Sequence, residues 1–315
     1  MPSEPAVSVI VAARDAEPTL PRTLRALAGQ QVDGAHEVIV VDDGSRDRTA
    51  QLAMQAGGPV RVIRQPPLGP AAARNRGVSE AGGSRLAFCD ADVFPAPGWL
   101  QAGIDALRVA DLVQGRVVPD PEAVLGPFDR TLWINSQVGL WETANLFVTR
   151  AAFEAAGGFE EWISPARGKA LAEDVWFGYR ALRAGARPAF CPAALAHHAV
   201  FPRAWPGYVA ERVRLRFFPA MAAKMPELRD AFLYRRWFLN RRTARLDVAL
   251  AAGLVAAARR SPVPLVAALP YARTVRRQAR RGSPGLGVAV ADVAGDLVGF
   301  AALAAGSLRH RAAVL

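Results

Sequence analysis

The sequence predicts an α/β fold, from three features of its first two hundred residues. Short apolar runs rich in β-branched residues alternate with stretches of helical spacing. Each early run stops abruptly at polar residues. Two of the runs end in carboxylates, Asp42-Asp43 and Asp90-Ala91-Asp92. Strands alternating with helical patterns of ~10–15 residues build βαβ units and a parallel sheet. In open sheets of this kind, ligands bind beyond the carboxyl ends of the strands.

Taken in order, Ala6 to Ala13 reads as a buried strand, with Arg14-Asp15-Ala16-Glu17 as the loop at its end. Thr19 to Ala28 has Leu20, Leu24 and Leu27 at helical spacing, and Gly29 stops it. Val38 to Val41 is a second strand, followed by a helix over Arg46 to Ala56. Val60 to Ile63 and Ala71 to Ala81 are the third strand and helix, and Leu86 to Cys89 is the strand that meets Asp90. Beyond Gly98 the pattern predicts a helix over Trp99 to Ala110, a strand over Leu112 to Val118 and a helix over Phe128 to Val138. Then come a strand (Ala144 to Thr149), a short helix (Arg150 to Ala156) and a substrate-side loop (Phe159 to Ala172). A helix over Asp174 to Ala184 and a strand over Arg187 to Leu195 precede His197-His198.

The carboxylates are the candidate chemistry. Side chains i and i+2 of a strand point the same way. If the chain stays extended through Ala91, Asp90 and Asp92 present one acidic surface. Two hard oxygen donors there suit Mn²⁺ or Mg²⁺, which in turn suits a diphosphate. The competing reading is that Asp92 only caps the turn before Pro95 and Pro97. Asp42-Asp43-Gly44-Ser45 can hydrogen-bond a base or ribose, or can cap the next helix. Capping needs one such residue, and the segment offers four. Glu173-Asp174 opens a helix, where the dipole favours carboxylates whatever their function.

Charge divides the chain. Residues 1–202 carry 19 basic and 22 acidic side chains, whereas residues 203–281 carry 18 against 4. The late segment therefore faces an anionic partner, membrane or nucleic acid. Zinc spacing, an RNA-recognition signature and a recognition-helix pattern are all missing from the sequence, so nucleic acid is not expected. Short apolar stretches such as Val248 to Ala258 and Pro264 to Ala272 alternate with arginine and aromatic residues, including Trp205, Trp237 and Phe238. That pattern fits helices lying in a membrane interface. Leu286 to Leu308 is longer, but Asp292 and Asp296 interrupt it. The N-terminus begins a strand without a basic region and apolar core, so no signal peptide is expected. Two cysteines make no disulfide framework. Few lysines and abundant alanine suggest a GC-rich bacterial genome.

In this order, the motifs resemble the family 2 inverting glycosyltransferases of the nucleotide-sugar-binding GT-A fold. The resemblance covers about residues 6–200. It rests on the opening strand and on Val41-Asp42-Asp43-Gly44-Ser45-x-Asp47-x-Thr49. It rests also on Ala73-Arg74-Asn75-x-Gly77, Asp90-x-Asp92, Gly157-Gly158-Phe159-Glu160-Glu161 and Glu173-Asp174. It implies a mixed sheet flanked by helices in residues 1–202; the charge and apolar pattern adds a basic helical region, expected to associate with a membrane, in residues 203–315. It implies that Asp43 binds the nucleotide base, with Asp42 supporting the loop and Ala13 ending the strand beside it. Asp90 would contact ribose or metal, Asp92 would coordinate a Mn²⁺ or Mg²⁺ ion, and His197 or His198 would add a metal ligand. Arg74 would reach the phosphates or lie on a helix surface. Asp174, next to Glu173, would be the general base of an inverting transfer. The partners implied are a UDP- or GDP-sugar and a lipid-linked or glycan acceptor; the basic tail adds the expectation of the cytoplasmic face of a cell membrane. The process implied is bacterial envelope, polysaccharide or glycolipid synthesis. Two departures stand out. Arg14-Asp15 replaces the family's aromatic-Asn pair, leaving the base open, and Trp176-Phe177 follows Asp174 where an acidic-Leu step is usual. The alternatives are a membrane-associated nucleotide-sugar-binding or scaffold protein on the same fold, and a nucleotidyltransferase. The latter would need a Gly-rich, Lys-containing phosphate loop that Ala12 to Asp15 does not supply.

Overall fold

The computed structural model describes residues 5–163, 171–280 and 285–315. Its contacts divide the chain into two compact units: Met1–Val124 with Thr131–Val200, and Leu125–Arg130 with Phe201–Leu315.

The first unit opens with β1 (Val7–Ala13), α1 (Leu20–Ala28), β2 (His36–Asp43), α2 (Thr49–Gln55), β3 (Val60–Gln65), α3 (Pro70–Glu80) and β4 (Arg85–Cys89). It continues with β5 (Val93–Pro95), α4 (Trp99–Ala106), β6 (Leu112–Pro119), β7 (Asn145–Thr149), α5 (Arg150–Ala155), α6 (Glu173–Arg183) and β8 (Pro188–His198). The strands form one mixed sheet in the order β3-β2-β1-β4-β7-β6-β8-β5. β3, β2, β1 and β4 run parallel, and β7 runs antiparallel to β4. The chain winds outward from β1 to β3 and then returns to the other side of β1. That reversal is a topological switch point, where side chains at the strand ends border a crevice. Ala13 pairs with Asp42 there.

The alternation in β1 and β2 explains why both faces are covered. Val9, Val11, Val38 and Val40 join Leu24, Trp99 and Phe147 in one core cluster. Ile10, Ile39 and Val41 join Phe88, Phe153, Phe159 and Phe177 in the other. Each large side chain buried this way contributes about 1.5–3 kcal/mol. Phe177 is thus core. Trp176, beside it, hydrogen-bonds Glu160 Oε2 through Nε1 at 2.9 Å.

Three expectations need correction. The chain does not stay extended through Asp90 and Asp92, because the Val93 N–H donates to the Asp90 carbonyl at 3.1 Å and closes a turn between β4 and β5. Phe128 to Val138 is no helix. Arg130 instead forms an isolated bridge with Phe201, and Ile134 one with Val117. Its backbone groups are satisfied by neighbouring segments rather than by the residue four positions back. His197 and His198 end β8 rather than following it, since the strand runs to Asp120's neighbourhood and pairs with both β5 and β6. Of the Phe159 to Ala172 loop, residues 164–170 lie outside the described residues.

The second unit is helical: α7 (Trp205–Glu211), a 3₁₀ turn (Arg212–Phe217), α8 (Phe218–Lys224), α9 (Leu228–Ala231), α10 (Arg241–Arg259), a second 3₁₀ turn (Val263–Ala268), α11 (Leu269–Ala279) and α12 (Gly285–His310). Among the described residues α12 is the one helix long and apolar enough to cross a membrane. Its two carboxylates are engaged inside the unit. Asp292 Oδ1 accepts from Tyr208 at 2.7 Å, and Asp296 accepts from Tyr271 at 2.7 Å and from Arg242 Nε at 2.8 Å.

Candidate active site

At the carboxyl edge of the sheet, Asp43 accepts three hydrogen bonds. Oδ1 accepts from Gln65 Nε2 at 2.7 Å and from the Leu68 N–H at 2.8 Å, and Oδ2 accepts from the Gly69 N–H at 2.9 Å. A carboxylate has about four acceptor positions, so one remains on Oδ2. Arg14 Nη1 stands 3.9 Å from that oxygen. Asp42 is buried. Its Oδ1 accepts from the Ser45 N–H at 3.2 Å, and Arg64 Nε lies 3.5 Å from Oδ2.

The rest of the Asp42–Thr49 signature holds the loop after β1. Ser45 Oγ, Thr49 Oγ1 and Asp47 Oδ2 accept from the N–H groups of Asp15, Ala16 and Glu17 at 3.0, 2.8 and 3.1 Å. Asp15 sits at φ +50°, a left-handed conformation that these contacts fix. The clustered polar residues are therefore a clasp between two loops rather than repeated helix caps.

Arg74 is the hub. Only 7% exposed, it is a residue of neither the helix surface nor open solvent. Nη1 donates to Glu173 Oε1 and Nη2 to Asp90 Oδ1, both at 2.9 Å. α3 is set close to the sheet because Gly77, one turn on, has no side chain; a Cβ there would lie 2.5 Å from Ile10 Cγ2. α6 is positioned in the same way, since any side chain at Gly178 would collide with Trp141. Gly178 lies one turn after Asp174.

Asp174 is half-buried at the start of α6, and the loss of water around it pushes its carboxyl well above the usual carboxylate range. Glu173 and Glu142 push in the same direction, and Arg74 opposes them. Glu142 was not a candidate from sequence. Burial raises its carboxyl to about 7. It follows Trp141, a buried aromatic at φ +53°. Bulky residues at positive φ cost of order 1–3 kcal/mol and gather at functional sites. The only sequence signal was a carboxylate just before a buried strand. Glu161, recognised as part of a motif but given no role, has its carboxyl raised by burial, then by Glu173 and Asp43. It links the Asp43 loop electrostatically to the start of α6.

Asp92 faces the end of β8, with Oδ2 3.7 Å from His198 Nε2. His198 Nδ1 lies 2.6 Å from the Ala199 carbonyl, which accepts its proton. In the neutral ring that leaves the Nε2 lone pair directed at a carboxylate. Histidines that bind metals are commonly oriented by such a carbonyl. His197, one residue earlier, projects to the other face. There it helps hold Asp120 below the ordinary carboxylate range, after the larger effect of the Arg22 hydrogen bond. Among the described residues, no group of three or more His, Cys, Asp or Glu side chains is arranged to hold a metal. Asp92 and His198 could hold a divalent ion only with ligands supplied by something else, as Mg²⁺ typically is by substrate phosphates.

Residues 8–147 match the family described as Glycosyl transferase family 2. A pre-mycofactocin glycosyltransferase of Mycobacterium tuberculosis is 31% identical over 215 residues, which is 62% of this chain and 43% of that relative. The glycosyltransferase AglE of Haloferax volcanii is 31% identical over 172 residues, 49% of this chain and 56% of AglE. The chain thus spans about half the length of these relatives. Among solved structures, the mannosyltransferase PcManGT of Pyrobaculum calidifontis, in complex with GDP-Man and Mn²⁺, has a similar fold. It aligns with a TM-score of 0.57 at 20% identity, over 98% of this chain and 88% of that one. Residues 1–349 of S. aureus TarS, in complex with UDP-GlcNAc, align with a TM-score of 0.50 at 20% identity over 67% of this chain and 65% of that one.

Proposed function

We propose, on the premise that this chain belongs to glycosyl transferase family 2 through the domain at residues 8–147, that it transfers a sugar from a nucleoside diphosphate to an acceptor hydroxyl with inversion. The observation that carries the reading is the half-buried Asp174 at the start of α6, its carboxyl raised by lost solvation and by Glu173 and Glu142. A base whose pKa approaches the working pH abstracts a proton most effectively. The acceptor oxygen, deprotonated by Asp174, attacks the anomeric carbon from the side opposite the nucleotide. Arg74 keeps the charges of Asp90 and Glu173 compensated as Asp174 ionises. Asp43, with its remaining acceptor position, takes a donor N–H of the base, and Arg14 borders the same place. A Mn²⁺ or Mg²⁺ ion at Asp92 and His198 would neutralise the departing diphosphate. The Mn²⁺ of the mannosyltransferase supports that reading. GDP-Man and UDP-GlcNAc in the two similar structures support a nucleotide-sugar donor. A scaffold on the same fold would have no use for a carboxyl pushed above its ordinary range at the start of α6.

The second unit supports an acceptor at a membrane. Its arginines suit an anionic cytoplasmic leaflet, at ~1 kcal/mol each near the surface. α12 contributes Asp292 and Asp296 to contacts within its unit, so attachment is read as peripheral or monotopic, in bacterial envelope or glycolipid synthesis. A thermal-shift screen of UDP-, GDP- and dTDP-sugars with Mn²⁺ or Mg²⁺ identifies the donor class. Calorimetry then tests the site: Asp92→Asn loses the metal-dependent part of nucleotide binding and Asp174→Asn retains it. Stabilisation by none of these donors in either metal contradicts the proposal.

A further inference from the structure

Resting on the membrane reading above, we propose that α10, the Val263–Ala268 turn and α11 form a hairpin that enters an anionic bilayer. The turn and the first residue of α11 supply its apolar contact. A 3₁₀ segment repeats every three residues, so Val263 and Val266 fall on one edge. Leu269, three further on, continues that spacing into α11. All three are exposed, at 73%, 65% and 45%, and Leu265 between them at 46%. On the other arm, Leu254 is 74% exposed. A contiguous run of exposed aliphatic side chains in one hairpin is what an interaction surface presents.

The charge around that run selects the partner. Arg259 and Arg260 precede the turn, and Arg273, Arg276, Arg277 and Arg280 follow it. No carboxylate occurs between Asp247 and Asp292. Among the described residues, none of these six arginines forms an ion pair, whereas Arg242 and Arg245 at the base of α10 are engaged with Asp296 and Thr274. The hairpin is therefore anchored at its base and unneutralised beyond it. Nucleic acid would use the arginines but leave the aliphatic edge in water. A protein partner would need a surface both apolar and densely acidic. A leaflet of anionic lipid supplies both at once: acyl chains for Val263, Val266 and Leu269, and phosphates for the arginines, whose stems extend along the apolar layer.

The test is flotation of the full chain with vesicles of phosphatidylcholine alone and of phosphatidylcholine with phosphatidylglycerol. Wild type is expected to float with the anionic vesicles, less at high salt, and poorly with the neutral ones. The double variant Val263→Asp/Val266→Asp is expected to lose at least about tenfold in partitioning, since each valine forfeits its burial. A charge-matched control, Met54→Asp/Val109→Asp, adds the same two charges at exposed positions of the first unit and should lose far less. Circular dichroism spectra that match wild type show that the variants fold. If wild type does not bind anionic vesicles, the membrane reading itself fails. If wild type binds and the hairpin variant binds equally well, or no less than the control, the membrane reading stands and the hairpin assignment is overturned.

Discussion

The two units use arginine in opposite ways. In the first, Arg74 is buried between Asp90 and Glu173, and the half-buried Arg22 pairs with Asp120 and Glu122. These guanidinium groups fix carboxylates in place. In the second, Arg242 pairs with Asp296 at the base of the α10–α11 hairpin, but Arg259, Arg260, Arg273, Arg276, Arg277 and Arg280 beyond it have no such partners among the described residues. Apolar side chains differ in the same sense. Of the twenty large hydrophobic side chains exposed among the described residues, fifteen belong to the second unit, although it is the smaller one. Burial and pairing mark the one unit; exposed charge and apolar surface mark the other. The family match ends at residue 147 and so does not reach Phe201–Leu315, which the fold similarity to the mannosyltransferase includes.

This contrast can be broken most severely at Asp174. Asp174→Asn is expected to lower turnover by about 10²–10⁴-fold, the range for a lost general base, while nucleotide binding persists. Turnover within tenfold of wild type would remove the chemistry from the first unit. Next in size is His198→Ala, expected to weaken metal-dependent nucleotide binding by about 10–100-fold, as loss of a metal-orienting group does. His197→Ala, on the opposite face, should not. Calorimetry with and without Mn²⁺ separates them.

The acid cluster also predicts a pH dependence with a definite sign. Asp174 works ionised, so activity rises with pH through its raised pKa. Glu142 raises that pKa. Glu142→Gln removes the contribution, and the acidic limb of the kcat/KM profile should move to lower pH. A shift upward, or none, would separate Glu142 from the base. The measured value belongs to the coupled carboxylates rather than to one of them.

The smallest effect is on stability. A carboxyl whose folded pKa lies above its unfolded one contributes stability that is fully present below the unfolded pKa and is lost as pH rises through the folded pKa. Asp174→Asn avoids that loss. Its Tm should exceed that of wild type at pH 8 by a few degrees, about 2–4 °C per kcal/mol for a chain of this size, and by less at pH 5. An equal or lower Tm at pH 8 would mean that Asp174 is not held against its charge.

The sheet was legible because the runs around Ile10, Ile39 and Phe88 are short, apolar and closed by polar residues. Asp43, Asp90 and Asp174 stood out as candidates because they stand at strand or helix ends. Sequence could not show that Arg74 joins Asp90 to Glu173, a contact spanning 99 residues of chain. Nor could it reveal Glu142, whose carboxyl is raised by burial in the fold rather than by a local pattern. Phe128 to Val138 misled because its apolar spacing suits a helix, while its backbone partners lie in Val117 and Phe201. The His197–His198 pair could be sorted only once β8 assigned each ring to a face.

The central claim is a single displacement driven by Asp174. Proton NMR of the first product formed from an α-linked donor tests it most directly, through the coupling constant of the new anomeric proton. Inversion, giving a β-linked product, is the predicted result. An α-linked product at the earliest time points would contradict the account.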